Sequence, residues 1–451
     1  MKPQSKQRKN IKVVHLNASP AGGAFVAAQR LSSALDQLPD VESSHWVFEG
    51  GEGDFFLWAN SWMKSKWAFA LHAFEKLDFL RFEREKSVRF AFSHGKTGVN
   101  VSAWKSIQEA DVIHLHWVNK GFVSLHGLKD LLSLNKRVVW TCHDMWPFTG
   151  GCYHPRGCDH FQAECGNCHY LKSPAEGDLS RRVFSAKQEI YEAYGDHLQF
   201  VTPSKWLKDQ ALKSGALTSQ LRDSIQVVPN PIDTDYFYPA SIESSGKDLE
   251  QDESVKGFIP RDDKAGDKKF TLMFAAANLG NAAKGFAEFR TLCNSLVAMG
   301  HTNIEALVVG ENRIGDLGLN CKHTALGFIA DALRMRDAYW KTDVYVTTSH
   351  EENLPTTIME SLSCGVPVAA FSVGGIPEMV DVDESGKTGW VVPKLDVEAL
   401  VKQIVAYIDL SLEDRSVIQR NCREAALNSY SAMRISKIYA AIYRAQVVQE
   451  K

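Results

Sequence analysis

Glu352 and Glu360 stand eight residues apart and bracket the segment ENLPTTIME near the end of a 451-residue chain. A short β-branched run, Val344–Thr347, ends just before them. Pro355 fits the first position of a helix, where a missing N–H costs little, and Asn353 can cap that helix. The backbone N–H groups near Asn353, Leu354 and Thr356, together with the helix dipole, would make an anion site suited to a diphosphate. Glu360 lies about 7.5 Å along the helix axis from Pro355, a reach that suits the paired hydroxyls of a ribose. Glu352, at the loop tip on the other side of the phosphate site, would meet a sugar. One helix start could thus hold sugar, diphosphate and ribose in a row. The plain alternative is an ordinary capped helix with two exposed glutamates, since short motifs misfire.

Other residues could join this chemistry. Lys284 and Gly285 follow a strand-like run in AAANLGNAAKGF, where a lysine can neutralise a diphosphate as its bond to a sugar breaks. Gly22 and Gly23 follow the first apolar run, where glycines let backbone approach a ligand at a helix start. His143 and Asp144 come directly after the run Arg137–Thr141, at the strand end that lines the ligand crevice in open α/β sheets. His114 and His116, in VIHLHW, lie at another such end and suit acceptor contact or packing. Cys152, Cys158, Cys165 and Cys168 have the spacing C-x5-C-x6-C-x2-C. That cluster suits one structural zinc as well as free thiols or disulfides, and four thiolates would leave no open position for catalysis. Asp233 and Asp235 match a D-x-D pattern but are rejected as a metal site.

The elements that must position these residues alternate. Strand candidates are Lys12–Leu16, Asp111–His114, Arg137–Thr141 and Gln199–Thr202 in the first half. Phe270–Ala275, Glu305–Val309, Val344–Thr347 and Pro367–Phe371 follow in the second. Short runs separated by longer amphipathic stretches predict βα units and mostly parallel sheets, two doubly wound α/β domains facing each other. The boundary is expected in VVPNPIDTDYFYP, where prolines bar a continuous helix. This gives a domain over 1–228, completed by a C-terminal helix over 430–451, and a second over 229–429. The latter carries an exposed polar insertion over 240–269.

Composition limits the partners. Net charge is −3, which argues against a dedicated nucleic-acid binder. No apolar run reaches the length of about 18 residues needed to span a bilayer, and the basic N-terminus leads into a strand, so a cytoplasmic protein is expected. Residues 58–82 are basic and Trp-rich. They suit either a membrane interface, at the inner face of the plasma membrane, or a helix packed on the N-terminal sheet with snorkelling lysines; packing is slightly favoured.

The E-x7-E segment Glu352-NLPTTIM-Glu360, with Gly365 and Pro367 behind it, resembles the signature of the family 4 retaining glycosyltransferases, and motif order agrees from Gly22 to Gly389. The chain is similar above all to bacterial polysaccharide enzymes of the colanic-acid type, which share THDMWPFTGGC and the cysteines after it. The resemblance implies the GT-B fold, two Rossmann-like doubly wound domains facing a central cleft. It further implies metal-ion-independent transfer of a hexosyl or related sugar, with retention, from a UDP- or GDP-sugar to a glycan or lipid-linked glycan. By resemblance, catalysis falls to Glu352, Lys284 and His143. Donor binding falls to Glu360, Asn353, Leu354, Gly22, Gly23, Asn278, Gly327 and Phe328, and the acceptor side to His116, Ser204 and Lys205. The family usually has an arginine near Asn278, so one positive charge stands where two are common; Arg313 or Lys205 could compensate. Gly374 and Gly375 resemble the turn that supports the site from behind. The rival readings are a nucleotide-sugar epimerase or phosphorylase on the same fold, and a non-catalytic, zinc-stabilised binding protein.

Overall fold

Parallel strands cannot be joined by tight turns, so each βα run in this sequence needs a crossover, which helices supply. The computed structural model describes residues 10–50, 53–240, 269–380 and 387–448. The chain forms two units, residues 1–231 with 435–451, and residues 232–434. Most of the expected insertion at 240–269 lies outside the described residues.

Unit 1 runs β1 (Ile11–Asn17), α1 (Gly23–Asp36), β2 (Val41–Val47), β3 (Phe56–Leu57), α2 (Trp62–Leu80), α3 (Lys105–Glu109), β4 (Val112–Leu115), α4 (Leu125–Leu132), β5 (Arg137–Thr141), α5 (Leu179–Tyr194), β6 (Leu198–Thr202), α6 (Lys205–Lys213), α7 (Ser219–Ser224) and β7 (Gln226–Val227). Its sheet is parallel throughout, in the order β3-β2-β1-β4-β5-β6-β7. The order reverses between β1 and β4, which opens a crevice at their C-terminal ends.

Unit 2 runs β8 (Phe270–Asn278), α8 (Phe286–Ala298), β9 (Ile304–Glu311), β10 (Lys322–Gly327), α9 (Ala332–Trp340), β11 (Val344–Thr347), α10 (Thr356–Ser363), β12 (Val368–Phe371), β13 (Gly389–Val392), α11 (Val397–Ile408) and α12 (Leu412–Tyr430). Its parallel sheet has the order β10-β9-β8-β11-β12-β13, and the reversal falls between β8 and β11.

The last helix, α13 (Ala432–Val448), joins unit 1 from Ile435 onward. There Ile435, Tyr439 and Tyr443 pack with Val13, Val112, Val139 and Val201 of the sheet. Its two buried tyrosines also reach polar strand residues: Tyr443 Oη lies 2.7 Å from His114 Nδ1, and Tyr439 Oη 2.8 Å from Thr141 Oγ1.

The segment after the last strand of unit 1 is held by polar bonds rather than helix. Asp233 Oδ1 accepts the N–H groups of Asp235 and Tyr236 at 3.1 and 3.0 Å, so this carboxylate closes a turn. Buried Arg423, on α12, donates to the carbonyls of Thr234, Phe237 and Ser363. A buried guanidinium needs acceptors, and these carbonyls supply them at one of its terminal nitrogens.

Two expectations change. The strands β2, β3, β7, β10 and β13 were absent from the sequence reading: β3 and β7 span two residues each, VESSHWV and KHTALG carry few apolar residues, and β10 is an exposed edge. The helix in 58–82 exists as α2, but it does not bury its apolar side against the sheet. Only Ala68, Glu75 and Phe79 are buried, while Trp62, Met63, Trp67, Phe69, Phe74 and Leu77 are exposed. Among the described residues no helix is long and apolar enough to cross a membrane.

Candidate active site

In unit 2 the two strands that flank the reversal, β8 and β11, each deliver a loop carrying a candidate residue. Lys284 sits in the turn Ala282–Lys284 after β8, and Glu352 in the loop after β11. Their side chains meet: Lys284 Nζ lies 2.6 Å from Glu352 Oε1, with side-chain exposures of 35% and 15%. The pair is therefore half-screened and open on the lysine side.

Backbone contacts force this meeting. Gly285 has φ +77°, and a Cβ there would stand 1.9 Å from the carbonyl oxygen of Thr348. Only glycine lets the two loops come so close. Thr348 Oγ1 then donates to the Gly285 carbonyl at 2.7 Å, and His350 N–H donates to the Ala283 carbonyl at 2.8 Å. A second glycine works from the other side. Gly374 has φ +55°, and a Cβ there would stand 1.6 Å from the Glu352 carbonyl oxygen. Gly375 N–H donates to the Asn353 carbonyl at 2.9 Å. The turn after β12 thus fixes the Glu352 loop.

Helix α10 begins directly after that loop. Pro355 is the residue before its first turn rather than the first helical residue, so it holds the cap position expected for Asn353, which lies two residues further out. Asn353 and Leu354 are mostly buried. Glu360 is also mostly buried, and its Oε2 accepts from Tyr339 Oη at 3.3 Å. Burial, with Glu360 beside it, pushes the Tyr339 phenol well above its usual range, so that hydroxyl keeps its proton.

The remaining unit 2 candidates are not gathered as tightly. Asn278 ends β8, and its Oδ1 accepts Gly280 N–H at 2.8 Å to close the following turn. Arg313, a candidate second cation, pairs with Glu311 at 2.8 Å. Gly327 ends β10 with φ +67°, and Phe328 beside it is 61% exposed.

In unit 1 the candidates sit after the C-terminal ends of β1, β4, β5 and β6. Gly22 precedes α1 with φ +85°, and a Cβ on Gly22 or Gly23 would meet nothing within 4 Å. Open space, not packing, surrounds this turn. His143 follows β5, and its Nε2 lies 3.1 Å from Nδ1 of buried His116; His116 Nε2 lies 3.0 Å from Nδ1 of buried His15. Each contact needs one ring to donate and the other to accept, so the tautomers of the three rings are tied together. Burial lowers the His143 and His45 pKa values to about 4, and holds His15, His114 and His116 well below the ordinary histidine range. All five are neutral imidazoles at neutral pH.

His15, His114 and His116 bring ring nitrogens within 4.8 Å of one another. Both His114 nitrogens are already taken, by Tyr443 Oη and by Thr141 Oγ1 at 2.8 Å, so the group is a hydrogen-bonded core. Sequence reasoning passed over His15 and His45; in the sheet register His15 of β1 stands between His45 of β2 and His114 of β4.

Asp144 follows His143. Burial raises its pKa, while its oxygens accept from Trp146 N–H at 2.8 Å and Trp117 Nε1 at 3.0 Å. The loop beyond rests on Lys187 of α5, which is buried and donates to the carbonyls of Trp146 and Thr149 with the Trp146 ring 3.7 Å away. Burial lowers its pKa to about 7. On the acceptor side, Ser204 is fully buried and caps α6 by accepting Leu207 N–H at 3.0 Å; Lys205 is the first, exposed residue of that helix.

The four clustered cysteines are free thiols, with Cys165 and Cys168 buried. No three of their sulfurs come within 4.8 Å of one another, so they do not form a closed ligand set as placed. Burial raises Cys165 to about 12 and Cys168 to about 11. Cys165 Sγ also accepts Gly150 N–H at 3.2 Å.

Two parallel α/β units of this order define the GT-B class of glycosyltransferases. Residues 98–236 match Glycosyltransferase Family 4, and residues 258–425 match Glycosyl transferases group 1. The chain belongs to the family 4 glycosyltransferases and is similar to those of the colanic-acid type. It is 24% identical over 337 residues to the putative colanic acid biosynthesis glycosyl transferase WcaC of Escherichia coli K12, covering 74% of this chain and 75% of that protein. It is 27% identical over 128 residues to the corresponding WcaL, where the match spans 28% of this chain and only 30% of the relative. Among solved structures it resembles Anabaena HepE in complex with UDP-glucose, with a TM-score of 0.57, 16% identity and coverage of 97% and 100% of the two chains. A Rickettsia africae glycosyltransferase gives a TM-score of 0.60 at 14% identity, covering 98% of this chain and 100% of that one.

The neutral histidines have a consequence for acid stability. An unfolded histidine takes up a proton near pH 6.5, whereas His143 and His45 resist protonation until about pH 4. Between these values the unfolded chain binds more protons, so stability falls as pH falls. Urea unfolding should show a lower midpoint at about pH 5 than at pH 7. An unchanged midpoint would mean that these rings are not held neutral.

Proposed function

We propose that this chain transfers a hexosyl or related sugar, with retention and without a catalytic metal ion, from a UDP- or GDP-sugar to a hydroxyl of a growing glycan in polysaccharide biosynthesis. The observation that carries this reading is the Lys284–Glu352 pair at the β8/β11 reversal, directly before the start of α10. A doubly wound sheet binds ligands at such a reversal, and a helix N-terminus there favours phosphate. The colanic-acid relatives and the UDP-glucose-bound neighbour support the same class of donor and product.

In this reading the diphosphate lies against the first N–H groups of α10. Lys284 shares its charge between Glu352 and the leaving diphosphate, taking the part a metal ion plays elsewhere. Glu352 holds sugar hydroxyls, and Glu360 accepts from the ribose with Tyr339 fixing its second oxygen. Neutral His143 supplies a hydrogen bond to a sugar hydroxyl. The tied tautomers behind it keep its ring from turning.

A zinc ion at Cys152, Cys158, Cys165 and Cys168 is proposed only as a brace for the loop after His143, because four thiolates complete its coordination. The sulfurs would have to close on the ion, and purified protein free of zinc would exclude it.

The experiment is turnover of a nucleotide-sugar with an added glycan acceptor. Glu352→Ala and Lys284→Ala should each lose about 100-fold or more in rate with the far-UV circular dichroism unchanged. Wild-type rates in either variant would overturn the assignment. Donor consumption that needs no acceptor would point instead to an epimerase.

A further inference from the structure

Helix α2 is turned inside out relative to an ordinary surface helix. At 3.6 residues per turn, Trp62, Met63, Trp67, Phe69, Phe74 and Leu77 fall on one broad stripe of its circumference. That stripe faces solvent: Trp62 and Met63 are 75% and 74% exposed, Phe69 68% and Leu77 64%. The opposite side carries Ala68, Glu75 and Phe79, all buried. Glu75, the acid of that inner side, accepts from Ser93 Oγ, and from Thr97 Oγ1 at 3.2 Å. Phe79 stacks on Phe92 at a centroid distance of 4.9 Å. The helix is therefore anchored through its inner side, and the orientation of its outer face is fixed.

Charge around this face is one-sided. Residues 62–96 contain eight Lys and Arg against four Asp and Glu, a net +4 in a chain whose formal charge is −3. The acids are mostly engaged: Glu75 is buried, Asp78 pairs with Arg81, and Glu83 with Arg89. Several cations lie beside exposed rings, Lys66 over Trp62 at 5.9 Å and Lys76 over Phe90 at 5.2 Å. Water penalises so large an apolar surface, and monomeric proteins seldom expose one without a partner.

We infer that the outer face of α2 docks on an anionic phospholipid bilayer. The rings and Leu77 enter the headgroup–acyl boundary, while Lys64, Lys66 and their neighbours meet lipid phosphates. The helix lies in the interface and does not cross it. A protein partner of the same size would be expected to bring matching acids, but nothing on this face itself is acidic enough to pair a second copy.

The full chain is tested by co-sedimentation with vesicles of phosphatidylcholine alone and of mixed phosphatidylcholine and phosphatidylglycerol. Binding is expected to the mixed vesicles, with an affinity that falls as salt is raised. Trp67→Ser combined with Phe74→Ser, and separately Lys64→Glu with Lys66→Glu, should each weaken it by about tenfold or more. These side chains are exposed, so thermal unfolding and the response to added UDP should stay as in wild type. That response also separates failure of this inference from failure of the donor-site reading. No binding by the wild-type chain would overturn the inference, as would equal binding by the variants. So would a wild-type dimer that the Trp67→Ser, Phe74→Ser variant converts to monomer while vesicle binding is absent.

Discussion

The approach of Gly285 to Thr348 is the constraint on which unit 2 turns. A Cβ at residue 285 would lie 1.9 Å from the Thr348 carbonyl oxygen. Because none is present, the loops after β8 and β11 share two further hydrogen bonds, Thr348 Oγ1 to the Gly285 carbonyl and His350 N–H to the Ala283 carbonyl. That stitching brings Lys284 and Glu352, 68 residues apart in sequence, to 2.6 Å. An ion pair on two long, exposed side chains contributes little by itself. Here the backbone sets the geometry, so the pair loses less side-chain entropy and is available to act on a ligand.

Unit 1 solves a different problem. Its strand ends carry polar rings deep in a sheet, where each unpaired polar group would cost free energy. Much of the cost is offset by pairing imidazoles with one another and with the α13 tyrosines, and by Lys187 holding the carbonyls of the loop beyond His143, while Nε2 of His15 and of His45 stays buried without a partner. Desolvation keeps the rings neutral, so they add no repulsive charge. Rigidity at His143 thus comes from a hydrogen-bonded run that reaches back to β1.

Strand pattern and motif chemistry were legible because they are local. Val344–Thr347 and Arg137–Thr141 appear in the structure with the bounds that β-branched runs suggested. The residue types around Glu352 and Lys284 told what chemistry to expect, since helix starts and lysines act on phosphates in any fold. What could not be read depends on distant contacts. Lys187 stands in the charged pattern RRVFSAKQEIYEAY and looks solvated, yet tertiary packing buries it over Trp146. Arg423 is buried among three carbonyls from two segments. Asn353 was the natural cap by type, but the helix starts later, with Pro355 in the cap position, and the Asn353 carbonyl accepts from the turn after β12. Periodicity showed that α2 has an apolar face without telling which way the face points.

The claim that the Lys284–Glu352 corner and the start of α10 form the donor site is tested most directly by a crystal structure with UDP or GDP bound. The account predicts diphosphate oxygens within hydrogen-bond distance of Lys284 Nζ and of backbone N–H groups in the first turn of α10. A nucleotide bound with its diphosphate away from both would contradict it.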